Sequence, residues 1–81
     1  MESKEFIARA KVLVASADSI DTKESEVYTV WFNYTLGNMK AMLSTTKGNG
    51  MYYEVTYNKR EKQIYLDSYK LVSKIPFEVG D

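Results

Sequence analysis

Val27-Tyr28-Thr29-Val30-Trp31-Phe32-Asn33-Tyr34-Thr35-Leu36, followed by Gly37-Asn38 and then Met39-Lys40-Ala41-Met42-Leu43, decides the fold. The first ten residues are rich in β-branched and aromatic side chains, which suit a pleated, half-buried surface. Their alternation sets Tyr28, Val30, Phe32, Tyr34 and Leu36 on one face and Thr29, Trp31, Asn33 and Thr35 on the other. Gly37-Asn38 reads as a two-residue hairpin turn, because glycine takes the positive φ that a type II′ turn requires at its first position. Leu36 then opposes Met39, Tyr34 opposes Ala41 and Phe32 opposes Leu43, so apolar meets apolar on one face.

Toward the C-terminus the same pattern continues through strands expected at 39–46, 51–57 and 63–69, separated by Lys47-Gly48-Asn49-Gly50 and by Asn58-Lys59-Arg60-Glu61-Lys62. Leu43 opposes Tyr53, Ala41 opposes Val55 and Met39 opposes Tyr57. Across the next pair, Tyr57 opposes Ile64 and Val55 opposes Leu66. Three hairpins that agree on one buried face give the consistency across levels expected of a foldable sequence. Beyond them, Leu71, Ile75, Phe77 and Val79 suggest a fifth strand over 74–79, confined to an edge because Pro76 cannot donate to a central ladder. A short helical turn at 68–73 is the competing assignment.

Toward the N-terminus, Phe6, Ile7, Ala10, Leu13, Val14 and Ala17 recur at helical spacing, which predicts an amphipathic helix over residues 3–17. Ser3 is the expected N-cap, and Glu5 suits the positive end of the helix dipole. Residues 18–26 are polar and read as a loop. The result is a single α+β domain over residues 1–81: one helix packed on the apolar face of a four-stranded, at most five-stranded, antiparallel meander. It is cystatin-like by analogy alone.

Composition narrows the chemistry. The chain has 81 residues, 44% of them hydrophobic and 27% charged, which marks ordinary globular material with a modest core. It contains no cysteine and no histidine, which removes disulfides, thiolate zinc sites, thiol nucleophiles and Ser-His catalysis. No cofactor, metal or catalytic residue is expected. No apolar run approaches the ~20 residues of a membrane helix, and the start of the chain is charged, so a cytoplasmic protein without a membrane partner is the expectation. Eleven basic residues balance eleven acidic ones, yet seven of the bases fall between residues 40 and 74, against Glu54, Glu61 and Asp67.

The register also fixes the face turned away from the helix. It predicts outward rows of Trp31, Ser44, Tyr52 and Tyr69; of Asn33, Met42, Glu54 and Asp67; and of Thr35, Lys40, Thr56 and Tyr65. One helix cannot cover both sides of a sheet. Trp31, Met42, Tyr52, Tyr65 and Tyr69 are therefore the candidate binding residues, because such side chains bury much area while losing little rotamer freedom. Against this stands the strand propensity of tyrosine and tryptophan, which tolerate exposure, and a tail that could fold over them. Glu54 and Asp67 fall opposite one another, an unfavourable like-charge pair that Lys40 relieves diagonally. Two carboxylates with no third ligand make a solvated face a better account than a metal or acid/base site. The alternative partner is single-stranded nucleic acid, with Lys40, Lys59, Arg60, Lys62 and Lys70 tracking phosphates beside stacking tyrosines. The two central acids and the scarcity of arginine weigh against it.

The segments Val27-Tyr-Thr-Val-Trp31, Lys40-Ala-Met-Leu-Ser-Thr-Thr46, Gly50-Met-Tyr-Tyr-Glu-Val-Thr-Tyr-Asn58 and Ile64-Tyr-Leu-Asp-Ser-Tyr-Lys70 resemble a small family of uncharacterised phage and prophage proteins of Gram-positive bacteria. The resemblance spans residues 27–70, and the stretch 18–26 departs from it. It implies no catalytic or binding residue. It does imply a setting, the bacterial host cytoplasm, and an accessory protein that binds a host or phage protein as an inhibitor or modulator. A homodimer through the outward aromatic face is the related expectation.

Overall fold

The computed structural model describes residues 1–80; Asp81, counted in the expected domain, lies outside them. Helix α1 spans Ser3–Asp18, a single 3-10 turn spans Glu24–Glu26, and strands β1 to β4 span Val27–Thr35, Asn38–Thr45, Met51–Asn58 and Gln63–Lys70. The strands form one antiparallel sheet in the order β1-β2-β3-β4, with α1 across one face, so the chain has the expected α+β architecture. No helix among the described residues is long and apolar enough to cross a membrane.

On β2 and β3 the core lies where the alternation predicts, whereas none of the β1 residues expected on the inner face, Tyr28, Val30, Phe32, Tyr34 and Leu36, is buried. Phe6, Ala10 and Val14 of α1 are fully buried against Ala41 and Leu43 of β2 and Val55 of β3, with Met39, Tyr53 and Val27 closing the margins. These three helical positions are spaced by four, one above another on a single stripe. Ala10 and Ala41 supply the small volumes that let helix and sheet approach closely. That stripe leaves Leu13 and Ala17, both expected to be buried, exposed at the helix flank, while Ala15 is buried instead. Ser3 is also not the N-cap. Glu2 is extended and its carbonyl accepts the Phe6 N–H at 2.9 Å, so Ser3 already lies inside the first turn.

The β2–β3 and β3–β4 registers match the expectation pair for pair. The first hairpin differs. Its turn residues are Leu36 and Gly37, with φ of 52° and 84°, and Thr35 opposes Asn38. Positive φ at both positions marks a type I′ turn, whose twist matches the flanking strands. Asn38, released from the turn, opens β2 and accepts the Lys59 N–H on its Oδ1 at 3.0 Å, joining the two turns at that end of the sheet. Moving the turn by one residue moves β1 by two along β2: Phe32 now opposes Ala41 and Tyr34 opposes Met39. Even shifts preserve the face.

A β-bulge at Val30 then reverses the parity of the first three residues of β1. Val27 and Thr29 turn toward the helix, opposite Thr45 and Leu43, and Tyr28 turns outward, opposite Ser44. The alternation that placed Tyr28 inside and Thr29 outside is therefore corrected. The compact Val27 takes the buried place that a tyrosine ring would overfill.

Leu36 holds a left-handed backbone that costs a β-carbon residue on the order of 1 kcal/mol. Its side chain is 90% exposed, so nothing is lost by replacing it. Leu36→Asn, creating the Asn-Gly sequence that type I′ turns prefer, is expected to stabilise the domain by about 0.5–1 kcal/mol. Urea denaturation measures this; an unchanged or lower midpoint would contradict the turn assignment.

Residues 71–80 form neither the edge strand expected at 74–79 nor a helical turn at 68–73, since Ser68–Lys70 complete β4. Leu71 still follows the ladder, its N–H donating to Gly50 O at 2.7 Å. After it the tail makes no backbone hydrogen bond among the described residues.

Candidate binding surface

The face of the sheet opposite α1 gathers all five predicted binding residues. The two-residue shift of β1 changes their neighbours. The rows are Tyr28–Ser44–Tyr52–Tyr69, then Trp31–Met42–Glu54–Asp67, then Asn33–Lys40–Thr56–Tyr65. Trp31 thus sits beside Met42 rather than beside Ser44, and Tyr28 occupies the place expected for it. Ser44 is only 6% exposed between its two tyrosine neighbours and donates its hydroxyl to Met51 O at 2.8 Å. Trp31 remains 41% exposed and Tyr69 51% exposed, while Met42 and Tyr52 are half-buried within the surface. Neither helix nor tail covers the rings. Tyr28 is the one member of the surface that sequence reasoning missed, because a bulge leaves no mark in the alternation.

Polar groups on this face neutralise one another. Glu54 and Asp67 are direct cross-strand neighbours, and Lys40 Nζ lies 3.5 Å from Glu54 Oε1 on the diagonal, as the register requires. Among the described residues no group of three potential metal-ligating side chains occurs. Tyr65 stands apart from the other rings, at the turn end. Its hydroxyl is within bonding distance of Glu61 Oε1 at 2.8 Å and Gln63 Oε1 at 2.6 Å, and the bond to Glu61 raises its pKa.

The five basic residues of the nucleic-acid alternative are not brought together. Lys40 is paired with Glu54, and Lys59, Arg60 and Lys62 occupy the β3–β4 turn. Lys70 opposes Met51 and so belongs to the helix side of the ladder, at the opposite end of β4. A continuous cationic track beside the aromatic rows is absent from this arrangement.

A second polar constellation lies at the end of α1. Asp18 accepts hydrogen bonds from Tyr53 Oη at 2.6 Å, Thr22 Oγ1 at 2.7 Å and Asn49 Nδ2 at 2.9 Å. The Tyr53 bond, opposed by partial burial and aided by the other two donors and by Lys47, holds the Asp18 carboxyl below the ordinary range. Burial and the same bond push the Tyr53 phenol up to about 12. Both carboxylate oxygens are engaged by partners from this chain, and the cluster fastens the helix to β3 and the β2–β3 turn.

A helix over an open antiparallel meander, with an aromatic outer face, defines the class as a small α+β domain with an uncovered sheet surface. The chain belongs to the family of unknown function DUF6275, whose model matches residues 2–79. That match takes in the helix and the tail as well as residues 27–70. No curated protein matches the chain. No solved structure matches it either.

Proposed function

We propose that this domain is a non-enzymatic binding module that engages a host or phage protein through its outer sheet face, acting as an inhibitor or modulator. The phage or prophage setting comes from the resemblance over residues 27–70. The observation that carries the reading is the adjacency of Tyr28, Trp31, Met42, Tyr52 and Tyr69 on one face that no element of the chain covers. Contiguous aromatic and thioether surface of this kind is characteristic of interaction sites, whereas scattered exposed rings are not. The paired charges of Lys40, Glu54 and Asp67 beside the rings would give such an interface its orientation more than its affinity.

The test is a double variant, Trp31→Ala with Tyr52→Ala. It is expected to keep the far-ultraviolet spectrum of the wild type and to lose a protein captured by immobilised wild type from bacterial lysate, a loss on the order of 2–4 kcal/mol at a hot spot. Collapse of the spectrum would make the rings core, and an unchanged captured set would move the site elsewhere. Trp31 is the only tryptophan, so its emission reports directly on coverage of the face. Single-stranded DNA or RNA at low salt is expected to leave that emission unchanged; a salt-sensitive response would favour the nucleic-acid reading.

A further inference from the structure

The tail and the free edge of β4 complement one another in three respects. Ile75, Phe77 and Val79 are 68%, 83% and 79% exposed and alternate with Lys74, Pro76 and Glu78, the pattern of a strand with one apolar side. Residues 72–80 are exposed throughout and make no backbone hydrogen bond to the rest of the described chain. Beside β4, Arg9, Val12 and Leu13 of α1 and Ile64 line a groove on the helix side, with Val12 44% and Leu13 38% exposed.

Hydrogen-bond parity joins the two. Leu71 donates to Gly50, so the odd residues of β4 direct their backbone groups toward β3, and Ile64, Leu66 and Ser68 direct theirs to the free edge. Those even residues face the helix. An antiparallel strand added there must therefore pair through residues whose side chains also face the helix. If the tail pairs through Ile75, Phe77 and Val79, its apolar side lands in the groove and the nitrogen of Pro76, which has no proton to donate, points away. The opposite parity would place Lys74, Pro76 and Glu78 in the groove and leave a ladder bond unmade. The proline also blunts the new outer edge against further addition.

Charge selects the register. With Phe77 opposite Ile64, Ile75 falls opposite Leu66 and Lys74 opposite Asp67, the carboxylate that already faces Glu54. Within one chain this pairing would make Lys70 and Leu71 the turn residues. Lys70 instead closes β4 opposite Met51, and Leu71 is bonded to Gly50, so the tail cannot return to its own strand in that register.

We propose that residues 74–78 pair as a fifth strand with β4 of a second copy of this chain, Phe77 filling the groove of Arg9, Val12, Leu13 and Ile64. Each copy of a two-fold dimer donates one tail and receives one. The groove that takes Phe77 lies on the helix side, away from the aromatic rings, and the two surfaces meet only at Asp67; Phe77→Asp therefore tests this proposal without touching the outer face. Sedimentation velocity on the wild type at about 100 μM is expected to give a dimer of the 9.3 kDa chain, an association in the range where small interfaces operate. Phe77→Asp, at a position outside the folded core, is expected to keep the native far-ultraviolet spectrum and weaken dimerisation at least about tenfold. Lys74→Asp should also weaken it, and the exchange Lys74→Asp with Asp67→Lys should restore it. A monomeric wild type overturns the proposal, as does a dimer indifferent to Phe77→Asp or a charge exchange without recovery. A dimer lost only with Trp31→Ala and Tyr52→Ala would assign self-association to the aromatic face instead.

Discussion

Phe6→Ala is expected to destabilise the domain by about 3–5 kcal/mol, the range for removing a buried phenylalanine side chain from a core. Phe6 is fully buried, lies 6.0 Å from the Phe32 ring centre at a tilt of 45°, and heads the helical stripe that Ala10 and Val14 continue. Ala10 cannot expand to fill the space, and the facing Ala41 is equally small, so the cavity has little means of collapse. A chain of this size has a total stability of roughly 4–12 kcal/mol, so the substitution removes a large share of it. At about 4–8 °C per kcal/mol, the thermal midpoint should fall by tens of degrees. Ile20→Ala, at a fully exposed position, should stay within about 0.5 kcal/mol of wild type. A Phe6→Ala midpoint as close to wild type as that of Ile20→Ala would show that the helix is not docked through this residue.

The second large effect is at Asp18. A carboxylate in the last turn of a helix is opposed by the dipole, at roughly 0.3–1 kcal/mol. Hydrogen bonds to a charged group contribute about 1.5–3 kcal/mol, and Asp18 accepts three, one of them from the buried Tyr53. The bonds outweigh the dipole. Asp18→Ala is therefore expected to cost about 2–3 kcal/mol in denaturant titrations, and Asp18→Asn less, because its amide oxygen can still accept from Tyr53. The pH dependence has a fixed sign. The Asp18 carboxyl is lowered in the folded chain below its ordinary value of 3.8, so its contribution is complete above that value and is lost as the pH falls through the lower folded value. Tyr53 is raised from 10.0 to about 12, so its share is complete below 10 and disappears as the pH climbs toward 12. The acid loss requires the Asp18 carboxyl and should vanish in Asp18→Asn, whereas the alkaline loss, caused first by the burial of Tyr53 and only then by Asp18, should shrink in that variant but persist. An acid unfolding profile of that variant that retains the wild-type shape would place the acid sensitivity in other groups.

The sheet was legible because burial on one face leaves an apolar imprint of period two, and β2, β3 and β4 carry it without interruption. Leu43, Ala41 and Met39 find Tyr53, Val55 and Tyr57 in the expected register, and Glu54 meets Asp67 as predicted. The first hairpin was less legible for two physical reasons. Gly37 satisfies either a type II′ turn at its first position or a type I′ turn at its second, and the alternation is the same in both, since the registers differ by an even number of residues. Only the Asn38 side chain, by bonding to Lys59, distinguishes them, and that contact spans 21 residues. The bulge at Val30 is a response to what α1 can accommodate over Val27, which local pattern does not encode. Trp31, Met42, Tyr52, Tyr65 and Tyr69 were accordingly placed on the outward face, but β1 was set against the wrong residues of β2 and Tyr28 was missed. The tail was misassigned because its apolar alternation is genuine strand chemistry with no partner within the chain.

The meander order also shapes how the chain reaches its native state. Every strand pairs with its neighbour in sequence, so the sheet assembles through hairpins that each close only a short loop. The helix, by contrast, is fastened largely through residues far along the chain: the Asp18 bonds to Asn49 and Tyr53 span 31 and 35 residues. Folding is then expected to run from a zipped ribbon to a docked cylinder, with substitutions in β2 and β3 slowing the forward reaction and substitutions at Asp18 chiefly hastening the reverse one.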